Sequence, residues 1–326
     1  MINNKRTHQP FATVGEEGYL DLLQHVLSNG YEVDNDRTGV GTIVSPTPHQ
    51  LYFPNVDEKF PLFTTKYVSF NMLACEMLWI IAGSTNANDI KDIGSPAMSK
   101  MWHKWADNNG GLGPVYGKQA RFWETKDGKE IDQLENAIND IKNNSTSRRI
   151  RVTHWNPGEI QDAALPPCHV EYQFTCQPLT KQYRINLFKE RVDNTHRITK
   201  NQNKVISELL DSKNIPKYKL HLHLLCRSQD LLLGTPFNIA QYALLLLLVA
   251  KVTNTQPGGF TWTGINCHIY QNHIRQVNTQ LNRDPYKPPQ VQINDKNIES
   301  IDDFTINHIR LKNYNHQSAI EAPVAI

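Results

Sequence analysis

Residues 243–250 form the longest apolar run of the chain, and this run constrains the fold more than any other feature. The run lies within a predicted helix at residues 239–252, and a helix that is apolar on all sides must be covered by the rest of the protein. It is too short to cross a bilayer, which takes about 20 residues. The sequence therefore predicts a globular fold around a buried helix, with no membrane segment.

The overall composition fits an ordinary globular protein. The 326 residues are 39% hydrophobic, enough for a large core, and no Gly/Ser-rich or Pro-rich linker divides them, which favours a single domain over residues 1–326. The net charge of +2 gives no support to dedicated nucleic-acid binding. Five scattered cysteines and a polar N-terminus without a signal-peptide pattern predict reduced thiols in a cytoplasmic protein.

Hydrophobic periodicity predicts both helices and strands. Helical spacing is found at residues 17–27, 70–82, 132–142, 239–252 and 269–281. Strands are predicted at residues 51–53, 149–155, 170–176 and 220–228, and residues 261–263 and 268–270 are predicted to flank a turn. Residues 178–219 are so polar that they are expected to form a solvated excursion with one short helix near 205–210; a partner-binding surface is the alternative.

One cysteine has an unusual local context. Cys168 follows Pro166 and Pro167, which fix their own φ angles and hold the approach to the thiol rigid. A rigidly presented thiol suits nucleophilic chemistry, provided that its thiolate is favoured. A buried structural cysteine is the competing interpretation.

Arginines occur in three separate polar loops. Arg37 lies in a glycine-bearing loop, Arg148 and Arg149 follow a polar run, and Arg227 is followed by Ser228. Several guanidinium groups with a hydroxyl donor are what a phosphate dianion requires. Each arginine alone is more often a surface charge than a phosphate ligand, and spacing alone does not show that the three loops converge.

Two polar residues lie within or next to predicted apolar helices. Glu76 lies within the helix predicted at 70–82, where a carboxylate is costly unless it is ion-paired or acts as a general acid or base. Asn238 precedes the apolar helix, where it could cap the helix. Its amide also presents an acceptor beside a donor, which matches the O4 and N3–H edge of uracil.

Two further pairs are candidates for ligand binding. Trp102 and Trp105 are spaced to share a helical face, where they would pack in the core or stack on a flat heterocycle. His268 and Tyr270 would point the same way in an extended segment and could hold one sugar hydroxyl. Ordinary surface or core positions are the alternative for both pairs.

Together these segments resemble the thymidylate synthase family in family order from about residue 17 to residue 326. The matching runs are Asp36-Arg37-Thr38-Gly39, Thr64-Thr65-Lys66, Glu76-Met77-Leu78-Trp79, Leu112-Gly113-Pro114-Val115-Tyr116-Gly117, Ser147-Arg148-Arg149, Trp155-Asn156-Pro157, Leu165-Pro166-Pro167-Cys168-His169, Arg227-Ser228, Asp230, Gly234-Thr235-Pro236-Phe237-Asn238, His268-Ile269-Tyr270 and Ala322-Pro323-Val324-Ala325-Ile326. No single run is specific, but the set is.

The resemblance implies an α/β (α+β) fold with a large mixed sheet flanked by helices, packed sheet to sheet in a homodimer. It also implies transfer of one carbon from 5,10-methylenetetrahydrofolate to C5 of deoxyuridine monophosphate (dUMP), without a metal. The expected product is thymidylate, with dihydrofolate. The expected partners are dUMP, folate and a second subunit that shares Arg148 and Arg149.

The resemblance also assigns roles residue by residue. The implied catalytic residues are Cys168 as nucleophile, with Glu76, Tyr116, Asn156, Arg227 and Asp230. The implied dUMP-binding residues are Arg37, Arg148, Arg149, His169, Arg227, Ser228, Asn238, His268 and Tyr270. The implied folate-binding residues are Trp102, Trp105, Asp230, Gly234, Phe237 and Ile326, the last as part of a closing C-terminal tail.

Several positions depart from the usual family pattern. The family usually has glutamine, Gly-Asp and an aromatic residue where this chain has Cys226, Ile265-Asn266 and Ala120. It usually has an acidic residue after the first tryptophan, where this chain has His103-Lys104. Glu171 after the Cys-His pair and the 178–219 insertion are also atypical. They keep a dUMP hydroxymethylase, which would use water in place of hydride, as an alternative. A non-catalytic homologue that binds RNA or a protein partner through the insertion is a further one.

Overall fold

The computed structural model describes residues 13–34, 38–192, 203–294 and 298–325. Its α-helices are α1 (Gly15–Asn29), α2 (Phe70–Ile81), α3 (Ala87–Ile93), α4 (Pro96–Trp102), α5 (Tyr116–Arg121), α6 (Gln133–Asn143), α7 (Lys181–Arg191), α8 (Asn203–Ser212), α9 (Gly234–Val252) and α10 (Ile274–Leu281). Short 3₁₀ helices lie at Gln271–His273, Ile301–Asp303 and Ile306–His308. The helices predicted at 17–27, 70–82, 132–142 and 239–252 are confirmed.

The strands are β1 (Thr13–Val14), β2 (Tyr31–Val33), β3 (Thr42–Val44), β4 (His49–Phe53), β5 (Trp123–Glu124), β6 (Glu130–Ile131), β7 (Arg151–Thr153), β8 (His169–Pro178), β9 (Tyr218–Asp230), β10 (Gln256–Tyr270), β11 (Gln290–Ile293) and β12 (Ile309–Lys312). Eight of these described strands form one mixed sheet in the order β1-β4-β10-β9-β8-β7, with β3 on β10 and β2 on β3. The predicted α/β fold, with a large mixed sheet flanked by helices, is confirmed.

The centre of the sheet is the parallel pair β9–β10. Strand β10 pairs with β9 along one edge from Gln256 to His268, and with β4 and then β3 along the other. Strand β8 continues the sheet on the far side of β9 in antiparallel register. Because β8 begins one residue after Cys168 and β9 ends at Asp230, the pairing brings those two strand ends, with Arg227, to the same region.

Helix α9 is the core of the molecule. Every residue from 239 to 250 is buried, and the helix packs against β9, β10 and α2. Its sequence is long and apolar enough to suggest a membrane span, but 83% of the apolar window is buried inside the protein. The helix is therefore covered by protein on all sides, as its uniform apolar character predicts.

Two predictions around β10 are wrong. Residues 261–263 and 268–270 do not flank a turn, because β10 runs unbroken from Gln256 to Tyr270. The predicted helix at 269–281 begins as helix α10 only at Ile274. Gly264 and the polar residues beside it signal a turn locally, but ladder bonds to β9 and burial of Cys267 and Ile269 keep the segment extended.

The 178–219 segment is more ordered than its polarity predicts. Within its described residues, α7 and α8 pack through a separate hydrophobic cluster of Leu187, Phe188, Ile206, Leu210 and Ile215. Its ends belong to the sheet, since β8 runs to Pro178 and β9 starts at Tyr218. The short helix predicted near 205–210 is confirmed as α8, whereas the expectation of a solvated excursion with that helix alone is wrong.

Shortening a buried leucine of α9 should cost much of the protein's stability. We expect Leu246→Ala, at a fully buried position, to lower the free energy of unfolding by about 2–5 kcal/mol, because it leaves a cavity in a packed core. Urea denaturation measures the change. The control Ile131→Ala, at a side chain 39% exposed on β6, should cost less than about 1 kcal/mol. Equal losses in the two variants would contradict a core centred on α9.

Candidate active site

A cavity of about 1140 Å³ opens where α2, α4, the start of β8, the end of β9 and the start of α9 meet. The C-terminal residues Ile320, Glu321, Ala322, Val324 and Ala325 also line it, and the Pro323 carbonyl accepts a hydrogen bond of 2.7 Å from His273. The volume exceeds that of a typical single-ligand pocket. The cavity therefore has room for two adjacent ligands.

Cys168 lines the cavity and is half-buried. Its backbone N–H donates to the Tyr116 hydroxyl at 2.9 Å, and its carbonyl accepts from the Arg227 N–H at 3.0 Å. The other four cysteines are buried, and burial raises the pKa of each of those thiols. Cys168 is thus the one described cysteine presented to the cavity.

Arg227 binds the backbone that leads to this cysteine. Its guanidinium donates to the carbonyls of Pro167 at 2.8 Å and Pro166 at 3.0 Å, and it lies 5.2 Å from the centre of the Trp155 ring. Arg227 and Ser228 both line the cavity. The arginine therefore fixes the backbone that carries Cys168 and places its positive charge on the two residues before it.

Tyr116 is held rigidly beneath Cys168. Its ring lies 5.0 Å from the His169 ring and 5.3 Å from the His154 ring, and His154 Nδ1 donates to the His169 carbonyl at 2.9 Å. Burial lowers the pKa of His154 to about 4 and that of His169 to about 3, so both imidazoles are neutral near pH 7. Burial also raises the pKa of Tyr116, which keeps its phenol protonated.

Glu76 extends from α2 to the opposite wall of the cavity. The Trp102 indole donates to Oε1 at 2.5 Å, and the Gln241 amide of α9 donates to Oε2 at 2.8 Å. Burial raises the pKa of this carboxyl to about 7, although both hydrogen bonds work in the opposite direction. A carboxyl with this pKa can both accept and donate a proton near neutral pH.

The two tryptophans do not share a helical face as predicted, because α4 ends at Trp102. Trp105 lies in the following turn, yet the two ring centres are only 6.0 Å apart and both rings line the cavity. Phe237 lines the same apolar part. The two rings therefore reach one wall by a turn rather than by helical spacing.

The polar end of the cavity carries the remaining candidates. Asn238, His268, Tyr270, Asp230 and Gly234 all line it. The Asp230 carboxylate accepts backbone N–H bonds from Leu232 at 2.9 Å and Leu233 at 3.2 Å, so it also shapes the turn between β9 and α9. His268 and Tyr270 lie near the end of β10 with their ring centres 5.2 Å apart.

Not every candidate reaches the cavity. Asn156 is absent from the described lining and instead donates to Gln119 and Glu159, each at 3.2 Å. Arg148 and Arg149 are exposed on the loop before β7, outside the described lining of this single chain. The candidates Arg37 and Ile326 lie outside the residues that the structure describes.

Sequence reasoning missed several lining residues. Gln229 and Gln241 line the cavity and were not among the candidates. Asn266 and the buried Lys66, which donates to the Leu232 carbonyl, also line it, but they were named only as a departure from the family pattern and as part of a matching run. Burial lowers the pKa of Lys66 to about 8. Of Gln229 and Gln241, only Gln241 has a local signal in the sequence, because it is a single amide in an apolar helix. Over the described parts of the chain, no cluster of three or more His, Cys, Asp or Glu could hold a metal ion.

Fold and cavity together describe an α/β protein that presents one thiol, one carboxyl of raised pKa and the Asn238 amide to a space for two ligands. The family model described as thymidylate synthase matches residues 17–326. The chain belongs to the thymidylate synthase family. Membership indicates a methyl- or hydroxymethyltransferase that uses methylenetetrahydrofolate as co-substrate and dUMP as acceptor.

Glu76 should make stability depend on pH. The ordinary pKa of the carboxyl is 4.5 and its pKa in the folded protein is about 7, so between these values the native state holds the extra proton and stability falls as pH rises. We expect Glu76→Gln to gain on the order of 2 kcal/mol relative to wild type between pH 5 and pH 8.

Urea denaturation of both proteins at the two pH values measures this difference. Glu130→Gln, at an exposed position on β6, is the matched control and should show no such gain. A Glu76→Gln advantage that is the same at both pH values would contradict the raised pKa.

Proposed function

We propose that this protein converts dUMP and 5,10-methylenetetrahydrofolate into thymidylate and dihydrofolate. The observation that carries the proposal is the placement of Cys168 beside Arg227 in the same cavity as Glu76, Asn238 and Trp102. This arrangement supplies a nucleophile, a proton carrier, a reader of the base and an apolar wall. It rests on the family membership for the identity of both substrates.

The reaction begins when the Cys168 thiolate adds to C6 of the uracil ring, leaving a nucleophilic enolate at C5. C5 then attacks the folate methylene carbon, with cleavage of a carbon–nitrogen bond of the folate. Loss of the C5 proton and departure of the tetrahydrofolate leave an exocyclic methylene. Transfer of a hydride from the tetrahydrofolate to that methylene, with expulsion of Cys168, gives the methyl product.

Glu76 and Tyr116 support the proton transfers of this reaction. The raised pKa of Glu76 suits it to organise water and to exchange protons with the pyrimidine and the folate. The protonated phenol of Tyr116, next to Cys168, supports removal of the C5 proton. Asn156 takes part indirectly, through its hydrogen bonds to Gln119 and Glu159.

The two substrates would occupy different ends of the cavity. The phosphate binds Arg227 and Ser228 with Arg37, the uracil edge binds Asn238 beside His169, and the 3′-hydroxyl binds His268 and Tyr270. The folate lies along Trp102, Trp105 and Phe237 near Asp230 and Gly234. Closure by the C-terminal tail, including Ile326, excludes water from the exocyclic methylene.

We also propose a homodimer in which Arg148 and Arg149 complete the phosphate site of the partner subunit. Both arginines are exposed and lie outside the cavity of their own chain, which fits a role across an interface. The outward-facing side chains of β8 and β9 leave a broad sheet face for such packing. Sedimentation equilibrium should give twice the mass of one chain, and a monomer at micromolar concentration would contradict this assembly.

Replacing the nucleophile tests the proposal directly. We expect Cys168→Ser to lower turnover of dUMP by at least ~10³-fold while dUMP still binds, because serine keeps the shape but not the thiolate. Cys176→Ser is the matched control, since that buried thiol has a pKa of about 11 and lies outside the cavity. Appreciable residual turnover by Cys168→Ser, or equal loss in both variants, would refute the assignment.

A dUMP hydroxymethylase is the second candidate, and Asn266 favours it. Asn266 stands where the family pattern has an acidic residue, lines the cavity, and shares a hydrogen bond of 3.0 Å with His268 through its side chain. Analysis of products distinguishes the two activities. Dihydrofolate, with its rise in absorbance, is expected for the synthase; 5-hydroxymethyl-dUMP with tetrahydrofolate and no rise would contradict it.

A further inference from the structure

The amide of Asn238 is held by a buried neighbour, Gln229. Gln229 lies one residue before the end of β9, is 3% exposed, and donates from Nε2 to Asn238 Oδ1 at 2.7 Å. Asn238 lies in the first turns of α9 and faces the cavity. A short bond between two amides, one of them fully enclosed, leaves the exposed amide little freedom to rotate.

Trp262 sets the direction of this bond. Its indole N–H, which can only donate, lies 3.4 Å from Gln229 Oε1 inside the sheet and is shared with the Cys226 sulfur. With its oxygen facing the indole, Gln229 must present its NH₂ group to Asn238. If Gln229 flipped, two donors would face each other in a buried place, which costs free energy.

The order of donors and acceptors then fixes what Asn238 offers to a ligand. Its Oδ1 accepts from Gln229, its side chain also hydrogen-bonds the His169 imidazole, and its Nδ2 lies on the other edge of the amide. Uracil needs an acceptor for N3–H and a donor for O4, whereas cytosine needs a donor for N3 and an acceptor for its amino group. A freely rotating asparagine satisfies either base, but one held in a single orientation does not.

Space for this arrangement comes from Gly234. A Cβ atom at position 234 would lie 2.9 Å from Gln229 Nε2 and 3.6 Å from Asn238 Oδ1. The glycine at the start of α9 therefore lets the two amides meet.

We propose that Gln229 is a positioning residue that locks the Asn238 amide in one orientation and so sets the preference for uracil over cytosine. The inference rests on the proposed function, because it concerns the nucleotide that the same cavity binds. It adds a specificity determinant that does not itself need to touch the base.

In the variant Gln229→Glu, the orientation of the Asn238 amide should depend on pH. The introduced carboxylate, when ionised, can only accept, so it would bind the Asn238 NH₂ group and flip that amide toward the cytosine pattern. When protonated, the same carboxyl accepts from Trp262 and donates to Asn238 as glutamine does. Burial raises the pKa of such a carboxyl, which puts the transition in an accessible range.

The experiment measures Kd for dUMP and for dCMP by calorimetry between about pH 6 and about pH 8.5. The ratio Kd(dCMP)/Kd(dUMP) cancels titration of the phosphate, which both nucleotides share. Wild-type protein over the same range accounts for the titratable groups nearby. These are Asp230 beside Gln229, Cys267 opposite Gln229 on β10, Cys226 near Trp262, and His169 near Asn238.

We expect the wild-type ratio to be well above one and independent of pH. For Gln229→Glu it should start near the wild-type value and fall roughly 10- to 100-fold as pH rises. Gln229→Met, which removes both hydrogen bonds without adding charge, should lower the ratio equally at every pH. Gln280→Glu, a fully buried glutamine bonded to Thr65 away from the cavity lining, is the matched control and should keep the wild-type ratio.

The outcomes separate the two claims. If wild type prefers dUMP and both Gln229 variants keep its ratio at all pH values, the positioning role is wrong and the proposed function stands. If wild type binds neither nucleotide, or does not prefer dUMP, the proposed function fails and the inference fails with it. Native circular dichroism is required of each variant, and Gln229→Met decides the matter if the charged variant does not fold.

Discussion

The rest of the structure depends on the burial of α9, in which every residue from 239 to 250 is buried. An apolar helix with no polar face stays in water only if other elements cover it, and here β9, β10 and α2 do so. That packing fixes the distances across the cavity. It sets Gln241 of α9 against Glu76 of α2, and it brings the first turns of α9, with Asn238, beside the end of β9.

The same burial creates the chemistry of the site. Withdrawal of water raises the pKa of Glu76 to about 7 and keeps His154 and His169 neutral. A carboxyl held at such a pKa destabilises the folded state at neutral pH relative to an amide of the same shape. The protein therefore carries a cost in stability at Glu76, the residue to which the proposed reaction assigns proton transfer.

The sequence predicts those parts of the fold and of the site that depend on a single local signal. The period of Leu73, Met77 and Ile80 predicts α2, and the two prolines predict a rigid approach to Cys168. Prediction was wrong where long-range pairing overrides a local signal. Gly264 suggests a turn within β10, but pairing with β9 on one side and β4 on the other keeps the strand extended.

The residues of the site also divide into those with a local sequence signal and those placed by long-range contacts. The reactive residues carry distinctive signals, since a thiol after two prolines and a carboxylate in an apolar helix are rare. Gln229 contacts Trp262, 33 positions away, and no local pattern reveals it; Gln241 stands out in an apolar helix, but its partner Glu76, 165 positions away, does not follow from that local signal. Trp102 and Trp105 converge on one wall although α4 ends between them, because their turn, not helical period, sets their direction.

The central claim is that the Cys168 thiolate adds to C6 of dUMP and thereby makes C5 a nucleophile. The most direct test follows tritium at C5 of the substrate during turnover with methylenetetrahydrofolate. The account predicts that tritium is released to water in step with product, and that Cys168→Ser releases none. Product that retains the label, or release that does not depend on Cys168, would contradict it.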